Sequence, residues 1–233
     1  MKVAVIGAGV IGITTAYELA TQGHQVSVYE RNGAAAEECS FSSTGIASVG
    51  YAAPWAHPGM VKHILSHLWQ RDTPLRIANA SLTDWRWLWQ MRKACKPTTF
   101  ARNRASMLRL AEYSSHRMRT LSDSLNLVHE RSQGFMVLLR TEREIKLMQD
   151  TLQVMRDANL SFKTLNADEA RGIEPALNPE TALAQAIHFP EDEVGNCRQF
   201  TLLLKSEAEA LGVQFHFNAN VQPLSSAQPK TIR

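Results

Sequence analysis

Three glycines and one glutamate near the N-terminus have the types and spacing of a dinucleotide-binding motif. Gly7, Gly9 and Gly12 form a Gly-x-Gly-x-x-Gly turn, and Glu30 ends the second apolar run that follows. The first glycine permits a tight turn, the second lets a pyrophosphate approach the backbone, and the third lets a helix lie close to a strand. That helix offers free N–H groups and a positive dipole end to phosphates, while the acid is suited to an adenosine ribose. The motif therefore predicts that the chain binds a dinucleotide.

The surrounding pattern supplies the strand, helix and second strand that this motif requires. Residues 2–6 are apolar and largely β-branched, as in a strand buried on both faces of a parallel sheet. Residues 13–20 have helical spacing, and Gly23 ends that helix before a second strand at residues 25–29. The alternative, an ordinary βαβ unit with chance glycines, is weaker because every part of the motif is in register. Glycines interrupt the first apolar run and no small-x-small cleavage site follows, so we expect a cytoplasmic N-terminus.

The rest of the chain reads as a small-residue linker followed by helices and scattered strands. The expected elements are a linker at 32–48, helices at 59–70, 81–94, 102–126, 142–158 and 198–211, a capped helix beginning at 166–169, strands at 135–139, 162–165, 182–189 and 213–217, and an acidic loop at 191–197. The fold class is therefore α/β, with a Rossmann-like βαβ unit and a largely helical, mixed-strand portion. Only three strands belong to the first sheet, and a doubly wound sheet normally has more, so we expect it to be incomplete at the C-terminus.

A basic segment lies inside an otherwise acidic chain. Residues 60–120 hold twelve Lys or Arg against three Asp or Glu, although the net charge of the whole chain is only +3. The same segment contains Trp69, Trp85, Trp87 and Trp89. Tryptophan and basic side chains together favour the headgroup region of an anionic membrane surface. In the alternative interpretation, two of these tryptophans pack inside a helical layer and the basic residues are simply solvated. Nucleic acid is a weaker candidate partner because no reading motif is recognisable.

The cysteines and histidines indicate neither a metal site nor a disulfide framework. Cys39, Cys95 and Cys197 are few and scattered, which fits a reducing compartment, and we interpret Cys39 as a small packing residue. His63 and His67 share a helical face without a third ligand, so we interpret them as a surface pair. No apolar run approaches the roughly 18 to 20 residues that span a bilayer.

Several segments, in order along the chain, resemble one enzyme family. After Glu30-Arg31 and a Ser/Gly-rich loop come GYAAPWAHPGM (50–60), WLWQM (87–91), RLAEYS (109–114), EPAL (174–177), DEVGNCRQFT (192–201) and GVQFHFNANV (212–221). Together these resemble the flavin-dependent D-amino acid oxidase and dehydrogenase family, which includes glycine and sarcosine oxidases. Within it, the likeness is greatest to the N-terminal portion of the small subunit of bacterial quinone-dependent D-amino acid dehydrogenases.

The resemblance implies that the cofactor is FAD, bound by a domain formed from residues 1–50 and 190–233, with a substrate or cap domain at 51–189. It implies cofactor contacts by Val3, Gly7, Ala8, Gly9, Val10, Ile11, Gly12, Glu30 and Arg31 with the ADP half, by Ser40, Ser43, Thr44 and Gly45 near the pyrophosphate and flavin, and by Val221 near the adenine. Where relatives usually carry Asn-Ala/Gly-Gly-Gln, this chain has Ser43-Thr44-Gly45-Ile46. The polar contacts made there must therefore differ.

The implied reaction transfers a hydride from the Cα of a D-amino acid to the flavin, and water then hydrolyses the imine to a 2-oxo acid and ammonia. A quinone-type acceptor and a peripheral position on the inner face of the bacterial inner membrane belong to the same expectation. Tyr51 and Trp55 either line a pocket near the flavin or pack in the core, and no catalytic residue is assigned. Family members are almost twice this length. The alternatives are an inactive nucleotide-binding fragment and an NAD-type module, of which the second is weaker.

Overall fold

The computed structural model describes residues 1–50, 52, 54–61, 81–157 and 159–222. The chain divides into two compact units, the first formed by Met1–Ala47, Arg119–Thr151 and Ser161–Arg233 and the second by Ser48–Met118 and Leu152–Leu160. The predicted boundaries between a cofactor domain and a substrate domain stay a prediction. Most of the helix expected at 59–70 lies outside the described residues, as do Tyr51, His63, His67 and Trp69.

Strands and helices alternate in the order expected for a βαβ unit followed by a mixed region. The strands are β1 (Lys2–Ile6), β2 (Gln25–Tyr29), β3 (Ile46–Ala47), β4 (Ser132–Leu139), β5 (Lys163–Leu165), β6 (Gln185–Val194) and β7 (Gln214–His216). The helices are α1 (Val10–Thr21), α2 (Leu82–Ala94), α3 (Pro97–Ser124), α4 (Glu142–Asp157), α5 (Ala167–Ile173) and α6 (Cys197–Ala210). The expected helices and strands outside residues 59–70 are therefore present, with the strand at 182–189 shifted and lengthened.

The first unit contains a parallel three-stranded sheet in the order β1-β2-β7. Helix α1 packs on this sheet and α6 packs against α1. Val26 and Val28 are buried on β2, while Ile13 and Leu204 are fully buried on the two helices. The apolar faces of β2, α1 and α6 therefore pack together in one core, as the periodicity of the sequence predicts.

The prediction that β1 is buried on both faces is wrong. Its residues alternate between exposed and half-buried, and Ile6 is 59% exposed. The strand is at the edge of the described sheet, and the packing of α1 covers only one of its faces. An apolar run cannot by itself distinguish a strand covered on two faces from an edge strand covered on one.

A second sheet of the first unit is antiparallel, with β6 paired to β3, β4 and β5. The acidic loop expected at 191–197 is wrong as far as Val194, because β6 continues through these acids. Glu193 forms an ion pair, with its Oε1 3.0 Å from Nε of Arg119, and Asp192 is buried. The predicted linker at 32–48 likewise ends in β3, whose Ile46 pairs with Val194.

Side-chain caps define where two of the helices begin. Asn166 accepts hydrogen bonds from the N–H groups of Asp168 and Glu169, and the N–H of Asn166 donates to Oε2 of Glu169 at 2.8 Å, which confirms the predicted capping box. Ser81 and Asp84 form the same arrangement at the start of α2. Hydrogen bonds from Ser81 lower the pKa of the Asp84 carboxyl. Each box satisfies N–H groups that a helix leaves free at its first turn.

Helix α2 presents its tryptophans to solvent in the second unit. Trp85, Trp87 and Trp89 are 62%, 44% and 58% exposed, whereas Met91 is buried. The ammonium of Lys93 lies 3.4 Å from the ring centroid of Trp89. The alternative in which Trp85 and Trp89 pack inside a helical layer is therefore wrong. None of the described helices has both the length and the apolarity needed to cross a bilayer.

We predict that the α1–α6 contact contributes much of the stability of the first unit. Leu204→Ala removes a fully buried side chain from α6, the helix that packs against α1, and should lower the free energy of unfolding by about 2–5 kcal/mol. Urea denaturation followed by circular dichroism measures this change. Leu211→Ala, at a position that is 49% exposed, is the control and should cost less than about 1 kcal/mol. Equal losses in the two variants would contradict the assignment of the core.

Candidate cofactor site

In the turn from β1 into α1, the backbone of the turn lies close to the backbone of the first residues of the helix. Gly7 has a φ of +99°, a conformation that favours glycine, and its N–H donates to the carbonyl of Tyr29 at 2.8 Å. A Cβ on Gly12 would overlap the carbonyl oxygen of Gly7. The tight turn and the close helix approach predicted for these two glycines are therefore both observed.

The N-terminus of α1 keeps hydrogen-bond donors available for an anion. Ser40, which is buried, accepts the N–H of Val10 with its Oγ at 3.0 Å. Within the described residues, no hydrogen bond uses the N–H groups of Ile11 or Gly12. A serine hydroxyl that accepts one bond can still donate its own hydrogen. Two N–H groups, one hydroxyl and the positive end of the helix dipole are thus suited to phosphate oxygens.

Glu30 ties the dinucleotide turn to the end of β2. Its Oε2 accepts the N–H of Ala8 at 2.7 Å, and its Oε1 accepts the N–H of Asn32 at 2.9 Å. Each carboxylate oxygen has a second lone pair, so the side chain retains acceptor capacity for a ribose hydroxyl. The acid is therefore an anchor for two loops as well as a candidate contact to the nucleotide.

Arg31 is exposed and forms an ion pair with Glu38 in the loop that follows. Asn32 Nδ2 donates to the same carboxylate at 3.2 Å. The hydrogen bonds from Arg31 and Asn32 lower the pKa of the Glu38 carboxyl. This pair orients the start of the loop that leads to Ser40, while a contact from Arg31 to the cofactor stays a prediction.

Residues 40–45, which we call the cofactor loop, are held by the segment that begins α6. The N–H of Gly195 donates to the carbonyl of Gly45 at 2.9 Å, and a Cβ on Gly45 would overlap the carbonyl of Gly195. Gly45 has a φ of +69°. The guanidinium of Arg198 lies 4.8 Å from the ring centroid of Phe41. A chain segment 150 residues further on therefore positions the loop.

His129 contacts this segment and helps to hold it in place. Its carbonyl accepts the N–H of Asn196 at 2.8 Å, and its Nε2 lies 3.1 Å from Oγ of Ser122. Burial, and secondarily the charge of Arg131, lower the pKa of the imidazole, which keeps it neutral near pH 7. A Cβ on Gly195 would lie only 2.8 Å from Nδ1 of His129. The roles of His129 and Gly195 were not predicted from the sequence, although the Gly-Asn pair before α6 is a helix-start signal.

A cavity of about 490 Å³ opens at the N-terminus of α1. It is lined by Val5, Ile6, Gly7, Gly9, Val10, Ile11, Gly12, Thr15, Cys39, Ser40, Ser43 and Cys197. Seven of the predicted cofactor residues therefore meet around one space. The other predicted residues, Val3, Ala8, Glu30, Arg31, Thr44, Gly45 and Val221, are not in this lining.

Cys39 and Trp55 differ from their expected packing. Cys39 is exposed, so its interpretation as a packing residue is wrong. Trp55 is 68% exposed, which excludes core packing for it. Groups of three or more His, Cys, Asp or Glu side chains able to hold a metal do not occur in the described ranges.

A family model places the chain among known proteins. The model for DAO, FAD dependent oxidoreductase, matches residues 2–232. The chain belongs to this family. Its predicted FAD cofactor is thereby confirmed at the level of the family, and so is its α/β fold class. The narrower likeness to the D-amino acid dehydrogenase small subunit stays a prediction.

Solved structures share the fold at low sequence identity. Glycine oxidase from Geobacillus kaustophilus is 20% identical with a TM-score of 0.62, over 92% of this chain and 46% of that one. L-Amino acid deaminase from Proteus myxofaciens is 15% identical with a TM-score of 0.61, over 96% and 39%. L-α-Glycerophosphate oxidase from Mycoplasma pneumoniae, solved with FAD bound, is 19% identical with a TM-score of 0.52, over 93% and 44%. This chain therefore spans less than half the length of these relatives.

We predict that a side chain at Gly9 prevents FAD binding. Gly9 lines the cavity, and a Cβ there would already lie 3.1 Å from Oγ of Ser40. Gly9→Val should weaken FAD binding more than about a hundredfold, which corresponds to about 2.8 kcal/mol, while the stability of the fold changes less. FAD retained after gel filtration, together with a urea melt, measures the two effects.

Gly33→Val is the matched control, because the nearest atom to a Cβ there is 3.9 Å away in Asn218. It should leave FAD retention unchanged. If a family-length protein that carries this chain with Gly9→Val still purifies with one FAD per chain, that result would contradict the assignment of the cofactor site.

Proposed function

We propose that this chain is the cofactor-binding portion of a dehydrogenase that deaminates D-amino acids oxidatively and passes electrons to a quinone-type acceptor. The observation that carries the proposal is the cavity at the N-terminus of α1, with its glycine lining and two N–H groups that bond to none of the described residues. When bound, FAD supplies the hydride acceptor for oxidation of the amino acid, whose imine is hydrolysed by water to a 2-oxo acid and ammonia. The residues of this chain bind the cofactor and orient it.

The pyrophosphate is the part of the cofactor that this end of the molecule is best suited to hold. The N–H groups of Ile11 and Gly12 would donate to its oxygens, and the hydroxyl of Ser40 would add a third donor. The dipole of α1 favours negative charge at the same point. Ser43 lines the cavity as well. Glycine at position 9 keeps the space between these donors open.

The substrate is proposed from the family resemblance and from the solved relatives. Two of those relatives are named for amino acid substrates, glycine oxidase and L-amino acid deaminase. A glycerophosphate oxidase has a similar fold, so the fold alone does not select an amino acid. The D configuration and the quinone-type acceptor rest on the segments that resemble D-amino acid dehydrogenases.

An alternative function is an inactive nucleotide-binding fragment of such an enzyme. It is supported by the length of the match, because this chain covers 46% of the glycine oxidase chain. The βαβ unit and the cavity would bind nucleotide in either case. Binding without turnover therefore favours this alternative over the first proposal.

We predict that turnover requires more than these 233 residues. The isolated chain should bind FAD or ADP but reduce little dye in the presence of D-alanine, because relatives with this fold are about twice as long. A family-length protein carrying the chain should reduce a quinone-type dye with D-alanine and release little hydrogen peroxide. L-Alanine and glycerol 3-phosphate are the control substrates. Preference for either control, or rapid turnover by the isolated chain, would contradict the assignment.

A peripheral membrane position is a further part of the proposal. A dehydrogenase that reduces a quinone needs access to the bilayer, whereas an oxidase that uses dissolved oxygen does not. Helix α2 exposes Trp85, Trp87 and Trp89 near Arg92 and Lys93, which are also exposed. Exposed tryptophans and cations favour the headgroup region of an anionic leaflet.

We predict binding to anionic vesicles that depends on this basic segment. The chain should sediment with phosphatidylserine-containing vesicles, less so with neutral ones, and less in high salt. Each cation near an anionic leaflet contributes about 1 kcal/mol, so replacing Arg92, Lys93 and Lys96 by Glu should reduce binding by about a hundredfold or more.

The matched control reverses three exposed cations of the first unit, Arg140, Arg143 and Lys146. It has the same change in net charge and should reduce binding far less. Equal losses in both triple variants would show that net charge alone is responsible. No salt-sensitive binding by a family-length protein would contradict the membrane proposal.

A further inference from the structure

Two of the three cysteines line the cofactor cavity. Cys39 is exposed, and Cys197 is partly exposed at the first position of α6. We propose that these cysteines form a thiol-modification site for disulfides of the glutathione class, at which the modified cysteine and a bound nucleotide exclude each other. The inference rests on the proposed placement of the cofactor phosphates in this cavity. It adds a reversible, redox-dependent control of cofactor binding.

Cys39 lies beside the groups that would hold the phosphates. The next residue, Ser40, accepts the N–H of Val10, and a Cβ on Gly9 would touch its Oγ. A tripeptide attached to Cys39 would therefore lie against the N-terminus of α1. The glycine lining offers that tripeptide space only while the nucleotide is absent.

Cys197 lies on a segment that other contacts hold in place. Asn196 caps α6 through the N–H of Gln199 at 3.0 Å, and the carbonyl of Cys197 accepts the hydroxyl of Thr201 at 2.7 Å. The N–H of Asn196 is bonded to His129. The fixed Cys197 and the more exposed Cys39 should therefore react at different rates, with Cys39 first.

The electrostatics of the cavity favour an anionic disulfide. The N–H groups of Ile11 and Gly12 and the dipole of α1 attract negative charge, whether it belongs to a pyrophosphate or to a carboxylate. Glutathione disulfide carries carboxylates at its ends. The same donors that suit the cofactor would hold the reagent near the thiols.

The modification is a thiol–disulfide exchange that needs no further oxidant. The thiol of Cys39 loses its proton to water, and its sulfur attacks one sulfur of glutathione disulfide. A bond forms between the cysteine and that sulfur while the original S–S bond breaks. The second glutathione leaves with the electron pair as a thiolate. The cysteine is oxidised, the reagent is reduced, and a free thiol reverses the step.

Cys95 provides an internal comparison. It lies in the second unit, after the last turn of α2, and is not in the cavity lining. Burial raises the pKa of its thiol, which leaves less of the reactive thiolate at neutral pH. Nucleotide binding should not alter its rate of modification.

The test measures protection by a nucleotide. The chain, freed of nucleotide, is treated with glutathione disulfide, and modification of each cysteine is followed by peptide mass spectrometry with and without ADP. At ADP tenfold above its dissociation constant, modification of Cys39 and Cys197 should slow about tenfold. The rate at Cys95 should stay the same. Equilibrium dialysis measures ADP binding separately.

The reverse measurement uses FAD binding after modification. Treated protein should bind FAD at least about tenfold more weakly than untreated protein, a loss of about 1.4 kcal/mol, and dithiothreitol should restore binding. In Cys39→Ser, the treatment should weaken FAD binding much less than it does in the unaltered chain. In Cys95→Ser, the treatment should weaken FAD binding as much as it does in the unaltered chain. A Cys39→Ser, Cys197→Ser double variant that still loses FAD binding on treatment would overturn the proposal.

Two outcomes separate this inference from the proposed function. ADP binding without protection of either thiol contradicts the thiol site and leaves the cofactor site intact. A chain that binds no ADP at all contradicts both. Unchanged FAD affinity after complete modification of Cys39 and Cys197 also contradicts the thiol site.

Discussion

The close approach of α1 to the turn after β1 is the constraint on which the cofactor end of the molecule depends. No side chain fits between Gly12 and the carbonyl of Gly7. This approach fixes where the first turn of α1 ends and hence where its free N–H groups lie. Those donors suit an anion only if the opposite wall of the cavity is held near them.

The opposite wall is held by contacts distant in sequence. Ser40 is bonded to Val10, and Gly45 is bonded to Gly195. The carbonyl of Gly195 leaves no room for a side chain on Gly45, and the imidazole of His129 leaves none on Gly195. Through Asn196 this segment continues to His129 and then to Ser122 on α3. The cofactor loop is thus positioned by these glycine contacts, by the buried His129, and by Oγ of Ser43, which accepts the N–H of Gly45 at 3.2 Å.

Local pattern was sufficient to predict the βαβ unit, because spacing of glycines and apolar residues encodes it directly. Seven predicted residues accordingly line one cavity. The pattern was insufficient where a partner elsewhere in the chain decides the outcome. The acids at 191–193 have the composition of a loop, and only their ion pair with Arg119 and the strands beside β6 show that they lie in a strand. The apolar sequence of β1 is typical of a strand covered on both faces, and only the sheet order shows its edge position. Cys39 and Cys197 are 158 residues apart, so no spacing rule brings them to one cavity.

Glu30 joins the fold and the site in a single residue. Its backbone is bonded to the end of β7 and to the segment that follows, since its N–H donates to the carbonyl of His216 at 2.9 Å and its own carbonyl accepts the N–H of Ala219 at 2.8 Å. Its side chain accepts N–H groups from Ala8 and Asn32. Through these four hydrogen bonds, one residue at the end of the second strand connects the turn after β1, the loop after β2 and the end of β7.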